Sequence, residues 1–232
     1  MNHDRVSPLE SAFLRVRASN ASLGERLRVI ADVARDLRPE YSRAIDSFAG
    51  RLEAVRAGAG APAVGDPMPL FTLPDQDGRL VMLDDLTRQG PVVIAFHRGH
   101  WCPFCRMAMT GLAEIEERAS GAQIVAISCE LPRYTRRIRE EVGAHFPFLS
   151  DIDARYTLSL KLAAWLDDTL TRIISEAGYD IPLYQGGGDW ILPIPSVFVV
   201  DRHGIITARH IDPDYRRRMD LDALLNEIAH VC

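Results

Sequence analysis

No apolar run in the 232 residues approaches membrane-spanning length. No apolar h-region follows Met1-Asn2-His3-Asp4-Arg5, so neither a membrane anchor nor a secretory leader is expected, and the sequence reads as cytoplasmic. Cysteine is scarce, four residues in all, and two of them, Cys129 and Cys232, stand alone. In a reducing compartment that argues against a structural disulfide framework. Zinc is disfavoured too, because it needs four ligands and the chain offers one Cys-x-x-Cys and no His spaced to complete a site. No metal and no cofactor are therefore expected. Positive charge is not in excess either, and a net charge of -5 argues against a nucleic-acid partner. The arginine clusters, Arg133 with Arg136, Arg137 and Arg139, and the run Arg216-Arg217-Arg218, are interleaved with or followed by acids and read as solvated helix faces and termini.

What the sequence does have is Trp101-Cys102-Pro103-Phe104-Cys105, placed between the apolar run Pro91 to Phe96 and a helical pattern from Met107 to Ile115. A Cys-x-x-Cys at a strand-to-helix turn is the arrangement that dithiol-disulfide chemistry requires. The spacing sets two thiols one turn apart at a helix start, where unpaired N–H groups and the helix dipole favour a thiolate. Pro103 fits the first helical turn, where a missing N–H costs nothing. A free thiol with a pKa of about 8.5 is only about 3% ionised at neutral pH, so lowering the pKa to about 7 raises the reactive fraction on the order of tenfold. His97, Arg98 and His100 can add positive potential, with loop solvation as their alternative role. Cys129, ending an apolar strand, reads as a core residue. Cys232 is the last residue and is either a resolving cysteine between subunits or unassigned.

The chain can bury a core without staples, as one catalytic domain with an appendage. Ser7-Pro8-Leu9-Glu10 and Ser22-Leu23-Gly24-Glu25 read as capping boxes that start helices. Leu27, Ile30, Ala31, Ala34 and Leu37 form one apolar stripe, and Ile45, Phe48, Leu52 and Val55 a second; each serves either packing on the domain behind or a homodimer interface. The small-residue run 57–63 reads as a linker, dividing an N-terminal helical extension, 1–60, from a domain at 61–232. Within that domain Asp77-Gly78 predicts a hairpin between Leu70–Leu73 and Leu80–Leu83. Strands at Val92–His97, Gln123–Ser128 and Phe146–Leu149 alternate with helices to Arg118 and over Arg133–Ala144, which implies an α/β architecture with a mostly parallel sheet. Leu158, Leu162, Trp165, Leu166 and Leu170 predict a helical stripe in an inserted segment near 153–188, which either packs over the sheet or shapes substrate access. A strand entered through Pro195 ends near Val200, a second runs from Ile205 to His210, and a helix over Leu221–Ala229 closes the domain. Pro195 is compatible with a sheet edge or with a cis bond in a tight turn.

Gly65-Asp66-Pro67-Met68-Pro69-Leu70-Phe71-Thr72-Leu73, Asp77-Gly78, Phe96 to Cys105 and Ile194 to Asp201 together resemble the thioredoxin-fold peroxiredoxins, and within them the peroxiredoxin-like, Cys-x-x-Cys-containing group of the alkyl hydroperoxide reductase/thiol-specific antioxidant (AhpC/TSA) family. The resemblance implies a thioredoxin-like fold of the peroxiredoxin type, with a mixed central sheet, helices on both faces and an N-terminal helical extension. It also implies an antioxidant thiol oxidoreductase that cycles Cys102 and Cys105 between dithiol and disulfide. In that family a Pro-x-x-x-Thr-x-x-Cys loop and a distant Arg form the peroxide site. Aligning on Phe96 puts Cys105 at the peroxidatic position, Cys102 in place of the Thr, Arg98 in place of the Pro, and the distant Arg on or beside Pro195. The family's activating hydroxyl and guanidinium are therefore not at their usual positions. Trp101, Cys102, Pro103, Cys105 and Pro195 match thiol-disulfide oxidoreductases instead, in which a cis proline faces the Cys pair.

Two routes follow. By thioredoxin logic Cys102, exposed at the helix start, attacks a disulfide and Cys105 resolves. By peroxiredoxin logic Cys105 is oxidised by a hydroperoxide and Cys102 condenses with the sulfenic acid. Both end in a Cys102–Cys105 disulfide, which a thioredoxin-like protein or a low-molecular-weight thiol reduces. A redox sensor in which the pair switches the helices without turnover is the reading from another class.

Overall fold

The computed structural model describes residues 7–119 and 121–231; Cys232 lies outside them. Three helices come first, α1 (Pro8–Arg17), α2 (Leu23–Leu37) and α3 (Pro39–Ala54). Ser22 closes the full capping box, its Oγ accepting from the Glu25 N–H while its own N–H donates to the Glu25 carboxylate at 2.8 Å. Such a cap contributes about 1 kcal/mol. At Ser7 only half the box forms, because Glu10 is drawn away to accept two hydrogen bonds from Arg106 at 2.8 and 2.9 Å. The run 57–63 is not a free linker. Gly58 is buried with φ +81°, so close to Ile211 that a Cβ would meet its Cγ2 at 2.7 Å, and Arg209 donates to the Ala61 and Pro62 carbonyls at 2.7 and 2.6 Å. Small residues there let the backbone lie against the sheet.

The hairpin forms as β1 (Thr72–Pro74) and β2 (Leu80–Met82), followed by an unanticipated short helix, α4 (Leu83–Gln89). Then come β3 (Val92–Phe96), α5 (Pro103–Ile115), β4 (Gln123–Ser128), α6 (Pro132–Val142) and β5 (Phe148–Ser150). The inserted segment holds α7 (Arg155–Ser159), β6 (Ala163–Trp165), α8 (Asp168–Glu176) and α9 (Ile181–Gln185), and β7 (Ile191–Pro193), β8 (Ser196–Val200), β9 (Ile206–Ile211) and α10 (Leu221–Ala229) complete the chain.

The central sheet has the order β5-β4-β3-β8-β9. β3, β4 and β5 run parallel, whereas β8 and β9 are antiparallel to their neighbours. Alternation alone pointed to a mostly parallel sheet, and the structure corrects this to the mixed sheet that the family resemblance implied. The reason is the short Asp201–Gly204 connection, which permits only antiparallel pairing. All five residues of β3 are buried. Val93 and Ala95 meet α5, α6 and α10 on one face; Val92, Ile94 and Phe96 meet α4 and α7 on the other.

The expected single helical stripe in the insertion is also corrected. Lys161 turns the chain at φ +57°, β6 pairs with β7, and Asp167 caps a new helix by accepting from the Leu170 N–H at 2.9 Å. Leu158 and Trp165 are 39% and 60% exposed, so the run never shared a buried face.

The extension has a definite place. Phe13, Leu27, Ile30 and Ile45 form one cluster with Trp101, Phe104, Cys105 and Met107 around α5, and with Leu170 and Ile174 of α8. Leu27, Ile30 and Ile45 of the N-terminal stripes pack on the domain, while Leu37 and Val55 at the stripe ends are 47% and 73% exposed. The helices and the insertion together roof the start of α5.

Candidate active site

β3 delivers the chain to a loop, 97–102, and Cys102 is the N-cap of α5 with Pro103 in its first turn. The loop is fixed from below by Glu130, which follows β4. Its carboxylate accepts from the His100 N–H at 2.8 Å and meets His100 Nδ1 at 2.7 Å. Tyr134 and Tyr184 pack on the same imidazole with ring centroids at 4.9 and 4.8 Å. Gly99 is required at φ +148°, since a Cβ would lie 2.6 Å from both Glu130 Oε1 and Trp101 Nε1. Burial pushes the Glu130 carboxyl up, and the hydrogen bond and charge of His100 oppose that. His100 is thus a positioning residue that holds the loop.

The loop folds back so that the Arg98 N–H donates to Cys105 Sγ at 3.3 Å. Arg218, from the segment before α10, places Nη2 at 3.7 Å from the same sulfur. Burial raises the pKa of both thiols, but at Cys105 it is outweighed by the hydrogen bond from Cys102, the Arg218 and Arg98 guanidiniums and the Arg98 N–H, which together hold that thiol well below its ordinary value. Cys102 moves the other way, pushed well up by burial, by its hydrogen bond to Cys105 and by the Cys105 charge. The pair therefore exists as a Cys105 thiolate beside a Cys102 thiol. Accordingly, in reduced protein the thiolate absorbance lost in Cys105→Ser should form below the pH of about 8.5 at which a free thiol titrates. The sign for stability follows: the depressed pKa contributes stabilisation that is full above about pH 8.5 and is lost as pH falls through the folded value. A difference absorbance that titrates at or above the free-thiol pH contradicts this assignment.

Several expectations are corrected at this point. Cys102 is not exposed: it is 1% accessible and Cys105 is 0% accessible. His97 cannot add positive potential, because burial, with the charges of Arg218 and His100, lowers its pKa to about 3. Among the described residues no peptide bond is cis, so Pro195 does not supply the cis proline of thioredoxins. It lines a cavity of about 20 Å³ together with Phe96, Met109 and Arg218. Arg98 and Trp101 are in the site as expected, the guanidinium lying 5.1 Å from the Trp101 ring and 3.9 Å from that of Tyr215. Cys129 sits in the core 3.9 Å from Thr157 Oγ1, its pKa raised by burial and by Asp151.

Sequence reasoning missed Arg218, Tyr215, Tyr41 and Glu130. Arg218 was hidden in a run read as solvated; Arg217 is exposed and pairs with Glu53, whereas Arg216 is half-buried and pairs with Asp46 and the buried Asp214, which corrects that reading for Arg216 as well. Beside the Cys pair lies a cavity of about 310 Å³, walled by Cys102, Trp101, Arg98, Tyr41, Tyr179 and Tyr215 among others. Tyr41 comes from α3 and Tyr179 from the insertion, so both appendages build the site's approach. No three His, Cys, Asp or Glu among the described residues are grouped as metal ligands, and no helix among them is long and apolar enough to cross a membrane.

Comparison with known proteins places this geometry. The profile of the AhpC/TSA family matches residues 64–209. Peroxiredoxin Bcp of Escherichia coli (strain K12) is 35% identical over 91 residues, 38% of this chain and 58% of that protein, so the match spans little more than half of that relative's length. A protein named thiol:disulfide interchange protein DsbE homolog, from Paracoccus denitrificans, is 28% identical over 171 residues, 72% of this chain and 75% of its own. Among solved structures, reduced Prx3 of Vibrio vulnificus in complex with H₂O₂ superposes with a TM-score of 0.57 at 18% identity, over 72% of this chain and 99% of that one. At that identity the likeness is one of fold, and it is the peroxiredoxin type of thioredoxin fold.

Proposed function

Given that the chain belongs to the AhpC/TSA family, we propose that it is a thiol-dependent hydroperoxide reductase in which Cys105 is peroxidatic and Cys102 resolves. The observation that carries this reading is the pair of donors on Cys105 Sγ, the Arg98 N–H and the Arg218 guanidinium. They keep the sulfur anionic, and they stand where an oxyanion leaving the O–O bond needs positive charge. They supply from the loop and from the C-terminal segment what the family keeps in its Thr and its distant Arg.

The chemistry runs in two stages. The Cys105 thiolate attacks the terminal peroxide oxygen; an S–O bond forms, the O–O bond breaks, and the alkoxide or hydroxide leaves and takes up a proton. Cys102, as thiolate, then attacks the Cys105 sulfenic sulfur; an S–S bond forms and the hydroxyl departs as water after protonation. Two thiol equivalents return the pair to the dithiol. A reducing, cytoplasmic setting suits this cycle.

Attack by Cys102 on a protein disulfide is the second reading, favoured by the likeness to the interchange protein and opposed by the burial of Cys102. Stopped-flow oxidation of the reduced protein by hydrogen peroxide and by an organic hydroperoxide separates them. Oxidation far faster than that of a free thiol, retained in Cys102→Ser and lost in Cys105→Ser, is expected. Free-thiol rates would overturn the peroxidase reading and leave disulfide exchange. A single oxidation with no turnover under any reductant would leave a sensor.

A further inference from the structure

We propose that the cavity beside Cys102 is the docking site of a small, carboxylate-bearing thiol, which reduces the Cys102–Cys105 disulfide. The inference rests on the preceding reading only in that this disulfide must form. Three observations carry it.

The first is which sulfur can be reached. Cys102 is on the cavity wall and Cys105 is not. Thiolate attack on a disulfide expels the sulfur better able to hold the charge. The Arg98 N–H and Arg218 are placed on Cys105 to receive it. The reachable sulfur and the better leaving group are thus the correct partners for attack at Cys102.

The second is size. A cavity of about 310 Å³ stands at the low end of small-molecule sites, about 300 to 1,000 Å³. Its walls include Leu9 of α1, Ala34 of α2, Tyr41 of α3 and Ile174 of α8. A folded protein cannot bring its cysteine to Cys102 without displacing that roof.

The third is polarity. Arg98, on the wall and only 4% exposed, has no hydrogen-bond partner at Nη1 among the described residues. Buried donors of this kind require an acceptor. Arg38 on the same wall is exposed and adds a second positive charge. A carboxylate complements the Arg98 and Arg38 guanidiniums, and the apolar remainder of the lining accepts a compact organic body.

The step balances. The thiolate of the small thiol attacks Cys102 Sγ, a mixed disulfide forms, the Cys102–Cys105 bond breaks, and its electron pair stays on Cys105. A second thiolate attacks the sulfur of the bound first molecule, their disulfide leaves, and the electron pair returns to Cys102, which takes up a proton.

The test uses the full chain oxidised with diamide instead of peroxide, so that it stands apart from the peroxidase assay. Reduction is followed by tryptophan fluorescence with mercaptopropionate, with mercaptoethanol at equal thiolate concentration, and with reduced thioredoxin. Mercaptopropionate should be faster than mercaptoethanol by about tenfold, the effect of one charge-assisted hydrogen bond. Arg38→Gln, at an exposed position, should narrow that ratio, and mass spectrometry of Cys105→Ser treated with the symmetric disulfide of mercaptopropionate should find the adduct on Cys102, the second mercaptopropionate having left as thiolate. Equal rates for the two small thiols, or thioredoxin outpacing both, would overturn the proposal. Failure of peroxide oxidation with the thiol preference intact would remove only the peroxidase reading.

Discussion

Arg218→Met should slow oxidation of Cys105 by hydrogen peroxide by about 100-fold, the scale of losing one preorganised donor to a developing oxyanion. The substitution keeps an unbranched apolar stem and removes the charge 3.7 Å from Cys105 Sγ. Two effects combine. Less of the thiol is ionised, because an opposite charge held it down. The leaving oxygen also loses a cation, and this second effect persists at a pH where ionisation is complete. A rate profile across pH therefore resolves the two, with an acid-side midpoint displaced upward and a plateau that stays low. Arg218 also donates to the Tyr215 and Arg217 carbonyls, so a thermal melt should accompany the kinetics. A plateau rate within about threefold of wild type would remove Arg218 from the chemistry.

Glu130→Ala should lower the free energy of unfolding by about 2 to 6 kcal/mol, since two buried polar groups of His100 lose their partner at about 1 to 3 kcal/mol each. Glu130 is 1% exposed, so solvent does not screen the loss. The His100 N–H and imidazole are left without the carboxylate that accepts them. Glu130→Gln retains an acceptor for the His100 N–H and should recover part of that stability. Urea denaturation of the three proteins measures the series, and an Ala variant within about 1 kcal/mol of wild type would mean that the loop is held by the stacked tyrosines alone.

The strands and the Cys pair were legible because local signals specify them. An apolar run in β3, a Pro in the first turn of α5 and the cap residues of α2 each act within a few positions. The guanidinium on Cys105 was not legible, because it reaches across 113 positions of sequence and stands in a run of three arginines whose local pattern does not mark which one turns to the thiol. The inserted segment misled for a different reason. Short apolar runs fit a helical spacing and a strand equally, and pairing of β6 with β7 decided between them. The cis proline failed because the family analogy carried a residue type across without the backbone geometry around it.

The roof over the Cys pair has a consequence for how relatives should be compared. Tyr41, Arg38, Leu9 and Tyr215 lie outside the span 64–209 that the family profile matches, yet they wall the approach to Cys102. The two cysteines and Arg98 lie in the shared span, whereas Arg218 and about half of the wall of the approach lie at the two ends of the chain. Two relatives identical throughout the shared span can therefore differ completely in what they let in. A chain trimmed to that span loses that half of the wall and the Arg218 guanidinium together, so its access and its thiol chemistry change at once.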